Sequence, residues 1–204
     1  MTEPTIFIVD DDASVRDSLA LLLGLKGYAI RSFASAEDFL SACQPEWHGC
    51  LLLDIRMAGM NGLELQQRLI SRQISLPIIF ITGHGDVAAA RAALKAGAAD
   101  FLEKPLDDRM LIATITDALE RSAHQRDEAA TTQEIMDRMA RLTAREREVM
   151  EKVTLGEPNR EIARQLGISP RTVEVYKARM MEKMKTHSLP ELIRLVLSLR
   201  KNSS

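Results

Sequence analysis

The stretch TIFIVDDDASVRDSL, residues 5–19, joins a short apolar run to three consecutive carboxylates and then to a helical pattern. The run TIFIV is short and rich in β-branched residues, which is typical of a buried strand. Like charges repel, and a carboxylate beside a buried run loses hydration. Asp residues are favoured at helix N-caps, and we assign that role to Asp12. Asp10 and Asp11 then remain at the end of a buried strand, where they predict half of a cation site.

The composition predicts a folded protein without membrane segments. With 204 residues and 46% apolar content, the chain can form one large or two small domains. No apolar run approaches the roughly 20 residues that span a bilayer, and no secretion signal opens the sequence. Cys43 and Cys50 form no CxxC pair and have no His cluster nearby, so we interpret both as reduced core residues. We therefore expect a cytoplasmic protein with no membrane partner.

Charge divides the chain into two halves. Residues 1–121 hold 11 basic and 17 acidic side chains, a net charge of −6, whereas residues 142–204 hold 13 and 8, a net charge of +5. Between them, residues 122–141 are polar without a clear apolar face. This pattern predicts a linker, either irregular or partly helical. An acidic half suits metal or cationic partners, and a basic half suits nucleic acid. We predict domains over residues 1–121 and 142–204.

The first half alternates short apolar runs with helical patterns. The predicted strands are TIFIV, YAIRSF, GCLLLD, LPIIFIT and ADFLEK. Strands that alternate with helices predict a parallel sheet covered on both faces, and near-continuous apolar strands agree with that arrangement. Pro105 is suited to the first turn of the last helix. Ligands in such sheets bind at the carboxyl ends of the strands, near a topological switch point.

Polar side chains follow four of these predicted strands. Strand one ends in Asp10 and Asp11, strand three in Asp54, strand four in Thr82, and strand five runs into Lys104. Carboxylates that converge on one rim repel each other unless a cation holds them. Hard oxygen ligands suit Mg²⁺, which typically takes one or two carboxylates and keeps several waters. The sequence therefore predicts a magnesium site at this rim.

The motifs VDDD, LLLDIRMAGMNG, FITGHG and FLEKP, in this order and spacing, resemble the receiver domain of two-component response regulators. The resemblance implies an α/β fold of flavodoxin-like type, with a five-stranded parallel doubly wound sheet. It implies that Asp54 is the phosphoacceptor, and that Asp10, Asp11, Asp54 and the backbone carbonyl of Arg56 bind Mg²⁺. A carboxylate can act as a nucleophile toward a phosphoryl donor.

The same resemblance assigns the remaining residues of the rim. Thr82 and Lys104 would bind the phosphoryl group, and Thr82 and Phe101 would form the conformational switch. His84 lies at a position that modulates phosphoryl lifetime in this family. One residue departs from the family pattern, because Ala58 stands where Pro is usual. We expect a looser loop after strand three rather than a lost site.

The second half is punctuated as four helices. Thr143 and Glu146 form a T-x-x-E capping box. Gly167 ends the second helix, Ser169 caps the third, and Pro170 stands at its first position. The short turn between the second and third helices, followed by basic residues, predicts a helix-turn-helix.

This half resembles the LuxR/NarL-type output domain through LTAREREVM, NREIARQLGIS, RTVEVYKARMMEKM and SLPELIRLV, and the whole arrangement is most similar to the FixJ branch. Helical spacing predicts that Val173, Tyr176, Met180 and Met184 pack inward. The predicted DNA-binding residues are Arg171, Thr172, Glu174, Val175, Ala178 and Arg179. Those near the helix start would face base edges, and Arg171 and Arg179 are also suited to phosphate.

Together the two resemblances imply a transcription regulator that is switched by phosphorylation. The implied partners are a sensor histidine kinase, double-stranded promoter DNA, RNA polymerase and, after phosphorylation, a second copy of the chain. One alternative is a Mg²⁺-dependent phosphotransferase or phosphatase. Such enzymes usually carry a second acid/base two residues past the nucleophile, and that position here is Arg56. The other alternative is a DNA-binding regulator that works without phosphorylation.

Overall fold

The computed structural model describes residues 4–83 and 87–202. The chain divides into two compact units, residues 1–125 and residues 126–204, called here the first and second units. Among the residues that the structure describes, no helix is both long and apolar enough to cross a membrane.

The first unit is built on a five-stranded parallel sheet, which confirms the predicted fold class. Its strands are β1 (Thr5–Val9), β2 (Ala29–Phe33), β3 (Gly49–Asp54), β4 (Ile78–Thr82) and β5 (Asp100–Glu103). Its helices are α1 (Ala13–Leu25), α2 (Ala36–Ala42), α3 (Gly62–Ser71), α4 (Val87–Lys95) and the first part of α5 (Asp108–Ala140). The strand order is β2-β1-β3-β4-β5, so the direction of winding reverses between β1 and β3. Ligands of doubly wound sheets bind at such a reversal.

Two apolar cores lie on the opposite faces of this sheet. All six residues of β3 are buried, and alternate strand residues contribute to the two cores. One core contains Phe7 and Phe80 with residues of α2 and α3, and the other contains Ile8 with residues of α1 and α5. Cys50 lies in the second core, as expected, and burial raises the pKa of its thiol to about 12. Burial on both faces explains why β1, β3 and β4 are almost continuously apolar.

An aromatic cluster extends the first of these cores. The Trp47 ring stacks on Phe7 with centroids 4.5 Å apart and planes 4° apart. Phe33 and Phe39 pack around this pair, and the Arg31 guanidinium carbon lies 4.4 Å from the Trp47 ring centroid. Stacked and edge-on rings with a cation over the face are favourable aromatic geometries. The cluster therefore fixes the only tryptophan of the chain inside the first unit.

Helix starts follow the sequence in one case and depart from it in another. Asp12 is the N-cap of α1 and accepts a 2.8 Å hydrogen bond from the Ser14 backbone N–H, as predicted. The placement of Pro105 in the first turn of α5 was wrong, because α5 begins at Asp108. Asp107 accepts a 2.8 Å bond from the Met110 N–H, a helix-capping contact that a proline side chain lacks.

The described part of the second unit, up to residue 202, contains four further helices in the predicted order. They are α6 (Ala144–Thr154), α7 (Asn159–Leu166), α8 (Pro170–Met184) and α9 (Leu189–Asn202). Thr143 and Glu146 form the predicted capping box. Ser169 caps α8 by accepting a 3.1 Å bond from the Thr172 N–H, and Gly167 ends α7 in the left-handed conformation at φ 66°. The turn between α7 and α8 is thus set by local side-chain and glycine chemistry.

The last turns of α5 pack into the second unit. Ile135 is buried in the same core as Met180 and Met184 of α8. The Arg138 guanidinium donates a 3.3 Å bond to the backbone carbonyl of Met184, where α8 ends. Carbonyls at a helix C-terminus lack intrahelical partners, so this bond satisfies one of them. The end of α5 therefore stabilises the end of α8.

Candidate functional site

Three carboxylates meet at the carboxyl ends of β1 and β3. Val9 pairs with Leu53 in the parallel register, so the residues that follow them lie side by side. One carboxylate oxygen from each of Asp10, Asp11 and Asp54 lies within 4.8 Å of the others. Asp10 and Asp54 are buried, whereas Asp11 is exposed. The structure thus brings together the acidic residues that the sequence predicted.

Lys104 lies against this cluster from the end of β5. Its backbone N–H donates a 2.8 Å bond to the Thr82 carbonyl, which extends the pairing of β5 with β4. Its ammonium lies 2.9 Å from Asp10 Oδ2 and 3.3 Å from Asp54 Oδ1. One cation therefore bonds to two of the three carboxylates and offsets part of their repulsion.

The proximity of these groups changes their proton affinities. Burial raises the pKa of the Asp54 carboxyl, Asp10 and Asp11 raise it further, and the Lys104 charge opposes the increase. Burial acts to lower the pKa of the Lys104 ammonium, but bonds and charge interactions with Asp10 and Asp54 outweigh it, so the net change is upward. Any further positive charge at the rim would therefore stabilise the ionised form of Asp54.

Backbone groups hold the two aspartates that follow β1. Asp10 Oδ1 accepts a 2.9 Å bond from the Asp12 backbone N–H. The Asp10 backbone carbonyl accepts a 2.7 Å bond from the Arg16 guanidinium. Asp11 Oδ2 accepts a 3.1 Å bond from the backbone N–H of Ala58, in the loop after β3. The sequence did not indicate this last contact, because a backbone amide 47 positions away leaves no residue pattern.

The donor set of this rim fits a hard divalent cation. Three carboxylates supply oxygens within 4.8 Å of one another, and two of these groups are buried where mutual repulsion is strong. Mg²⁺ prefers oxygen ligands and commonly binds through one or two carboxylates. Arg56 lies in the loop after β3, two residues past Asp54. Asp10, Asp11 and Asp54 are three of the predicted magnesium ligands, and magnesium binding itself stays a prediction.

The remaining predicted residues of the first unit lie on neighbouring strands. Thr82 ends β4, is buried, and donates a 3.0 Å hydroxyl bond to the Gly83 carbonyl. Phe101 lies in β5 with 39% of its surface exposed. His84 lies outside the residues that the structure describes.

Gly62 permits the loop after β3 to pass close to the end of β3. A Cβ at this position would lie 2.3 Å from the Asp54 backbone carbonyl and 3.1 Å from the Phe80 ring. The Gly62 N–H donates a 3.0 Å bond to Ile55. Close backbone approach therefore requires glycine here, for steric reasons rather than for an unusual φ.

In the second unit, α8 has one buried and one exposed face. Val173, Met180 and Met184 are buried and Tyr176 is partly buried, which confirms their predicted inward packing. Five of the six predicted DNA-binding side chains are exposed: Arg171, Glu174, Val175, Ala178 and Arg179. The sixth, Thr172, is half-buried, and its hydroxyl lies 2.8 Å from Ser169 Oγ in the helix cap. The exposed residues form a surface of mixed charge along α8.

An ion pair that the sequence analysis missed joins α6 to α8. Glu146 is 3% exposed and its Oε2 accepts a 2.6 Å bond from the Lys183 ammonium as well as a 2.8 Å bond from the Thr143 N–H. The capping box indicated Glu146, but no local pattern indicates a partner 37 residues away. The ion pair between Lys183 and Glu146 therefore fixes α8 relative to α6.

Two protein families match the chain, one for each unit. The response regulator receiver domain matches residues 6–116. The bacterial regulatory proteins of the luxR family match residues 140–196. The two matches cover most of the chain without overlapping.

Relatives of full length share this combination. The chain is 49% identical to the transcriptional regulatory protein FixJ of Azorhizobium caulinodans, over 94% of this chain and 91% of that protein. It is 42% identical to the transcriptional regulatory protein TdiR of Thauera aromatica, over 95% and 85%. The solved structure of the response regulator StyR has a TM-score of 0.88 at 41% identity, over 96% and 98%. Full-length FixJ from B. japonicum has a TM-score of 0.62 at 44% identity, over 98% and 99%.

Proposed function

The chain belongs to the FixJ-like response regulators, which join a receiver domain to a LuxR-type DNA-binding domain and regulate transcription, and from this premise we propose that Asp54 is its phosphoacceptor. The observation that carries the proposal is the buried Asp54 carboxylate, which lies between two other carboxylates and the Lys104 ammonium. A sensor histidine kinase is the proposed donor. The only reaction that we assign to the chain is its own phosphorylation and dephosphorylation.

The residues of the rim have separate roles in this reaction. An Asp54 carboxylate oxygen forms a bond to phosphorus while the bond from phosphorus to the donor breaks, which gives an aspartyl-phosphate. Lys104, whose ammonium already lies 3.3 Å from Asp54, binds the transferred group by charge. The Thr82 hydroxyl leaves the Gly83 carbonyl and bonds to a phosphoryl oxygen, and Phe101 moves with it. Catalysis by such a site is mainly positioning and charge stabilisation.

Magnesium would be held by Asp10, Asp11, Asp54 and the carbonyl of Arg56. When bound, it supplies positive charge to the phosphoryl oxygens. The close carboxylates and the raised pKa of Asp54 support this assignment, because both indicate an excess of negative charge at the rim. Among the residues that the structure describes, the Lys104 ammonium bonds to Asp10 and Asp54 and not to Asp11.

Phosphorylation would then control the second unit by promoting a homodimer. A twofold dimer matches the two half-sites of a palindromic operator. In each half-site, α8 would enter the major groove, with Arg171, Glu174, Val175 and Ala178 toward base edges and Arg179 toward phosphate. Thr172 would contact DNA from the helix cap. Bound to a promoter in the cytoplasm, the dimer would recruit RNA polymerase and activate transcription.

Labelling by a small phosphodonor tests the phosphoacceptor. We expect Asp54→Asn to abolish incorporation of phosphoryl from acetyl phosphate, because the amide lacks the nucleophilic oxygen. Asp11→Ala should abolish the labelling or its dependence on Mg²⁺. Intact-protein mass spectrometry in acid measures both, since it retains the added mass.

Asp12→Asn is the matched control, because Asn also caps helices and Asp12 lies outside the carboxylate cluster. It should be labelled like the parent chain. Full labelling of Asp54→Asn would contradict the assignment, and repeated turnover of the donor beyond one phosphoryl per chain would favour a phosphatase.

A further inference from the structure

The three carboxylates of the rim are held in different ways. Asp10 and Asp54 are buried and bond to Lys104. Asp11 is exposed, and the contact that links it to the opposite side of the site is the 3.1 Å bond from the Ala58 N–H. We propose that the Ala58 backbone amide is a positioning group for Mg²⁺, which holds Asp11 in its binding geometry. This inference rests on the proposed function of the rim.

A single amide bond leaves Asp11 able to bind a metal. A carboxylate has two oxygens with about four acceptor sites between them, and the Ala58 N–H occupies one site on Oδ2. An exposed Asp side chain samples several rotamers, and fixing one of them costs entropy on binding. The amide restricts these rotamers before the metal arrives. Outer-shell hydrogen bonds orient metal ligands in this way, and their loss typically weakens affinity.

The loop that carries this amide is itself held at the residues that follow Ala58. The Met60 N–H donates a 2.9 Å bond to Glu37 Oε1 of α2. Asn61 and Glu64 form a capping box at the start of α3. The amide is therefore presented by a loop fixed by side chains outside the metal site.

The residue type at position 58 decides whether the bond exists. Proline has no backbone N–H and cannot donate to Asp11. The family pattern usually has Pro at this position, so the alanine gives this chain an orienting bond that a proline chain lacks. Alanine in place of the usual proline at position 58 therefore increases the affinity of the rim for Mg²⁺ rather than lowering it.

The test compares Ala58→Pro with Ala58→Ser in the full chain. Free Mn²⁺ is counted by electron paramagnetic resonance as a Mg²⁺ analogue, and Mg²⁺ itself is titrated calorimetrically. Ala58→Pro should raise the dissociation constant about tenfold, the lower end of the effect of losing an outer-shell partner. Ala58→Ser retains the N–H and should retain the affinity. Equal or tighter binding by Ala58→Pro would overturn the inference, as would an equal loss in both variants.

A second comparison separates the hydrogen bond from any distortion of the loop. In an Asp11→Ala background, Ala58→Pro should change the remaining metal affinity less than twofold, because the amide acts through the Asp11 carboxylate and alanine offers no acceptor. A full tenfold effect in that background would show that proline acts by another route and would overturn the inference. Asp10→Asn distinguishes the two proposals. If it leaves metal affinity unchanged, the proposed metal site fails. If it abolishes affinity while Ala58→Pro leaves the dissociation constant unchanged, the positioning role alone fails.

Discussion

The surroundings of Asp54 disfavour the ionised form of its carboxyl group. The carboxyl is 7% exposed, and burial together with Asp10 and Asp11 raises its pKa above the ordinary value of 3.8. The folded state therefore binds the Asp54 proton more tightly than the unfolded state does. By linkage, the free energy of unfolding falls as pH rises through the folded pKa, and the loss is absent below about pH 3.8.

Asp54→Asn should consequently stabilise the chain at neutral pH. We expect an increase in the free energy of unfolding on the order of 1 kcal/mol at pH 7.5 without divalent cations, an ordinary size for one substitution. The gain should shrink as pH falls toward 4, because the parent carboxyl then becomes protonated. Urea unfolding at several pH values measures it. Asp12→Asn should show no gain, since hydrogen bonds from Ser14 lower the pKa of Asp12.

The sequence predicted the rim residues because strand ends fix their positions. Asp10, Asp54 and Thr82 each stand at the end of an apolar run, and parallel strands bring such ends to one edge. The Ala58 bond to Asp11 and the two bonds of Lys104 could not be predicted in this way. They depend on the path of a loop and on a side-chain rotamer, which tertiary packing decides.

At the scale of elements, we expect substitutions in α8 to separate base-specific contacts from general affinity for DNA. Glu174 and Val175 are exposed near the helix start, where a Glu can accept from cytosine and a Val can contact a thymine methyl. Glu174→Ala and Val175→Ala should each cost about 1–3 kcal/mol and relax preference at one base position. Arg179→Ala should weaken binding to all sequences and lower the salt dependence, as expected for a phosphate contact.

A binding-site selection with the three variants measures these effects, and the parent chain supplies the reference motif. If Arg179→Ala changes the selected motif while the other two variants do not, the proposed orientation of α8 in the groove is wrong. Met180→Leu, a conservative change on the buried face, should leave the motif unchanged.

Helix boundaries were predictable where capping is local. The Thr143–Glu146 box and the Ser169–Pro170 start of α8 each involve residues within one turn. The start of α5 was misplaced, because Asp107 caps the helix in place of Pro105. The packing of Ile135 into the core of the second unit also had no signal, since its partners in α8 lie far along the sequence. The domain boundaries at residues 121 and 142 stay predictions.

At the scale of the whole molecule, phosphorylation should convert a monomer into a dimer. Leu94, Phe101 and Met110, on α4, β5 and α5, expose 40%, 39% and 62% of their surfaces. Exposed apolar side chains on neighbouring elements favour a protein interface. With beryllofluoride as the phosphoryl mimic, sedimentation velocity at micromolar concentration should show a dimer. Asp54→Asn should remain monomeric under the same conditions, and an unchanged monomer in the parent chain would contradict the proposal.

Trp47 gives the chain a tryptophan fluorescence signal that comes from the first unit alone. Trp47 is its only tryptophan and lies within the first unit, against Phe7. Its fluorescence on denaturation therefore reports the unfolding of that unit alone. Circular dichroism at about 222 nm, where helices absorb differentially, also records the helices of the second unit. Coincident curves would mean that the two units unfold as one cooperative system. Separated curves would give each unit its own stability from a single unlabelled sample.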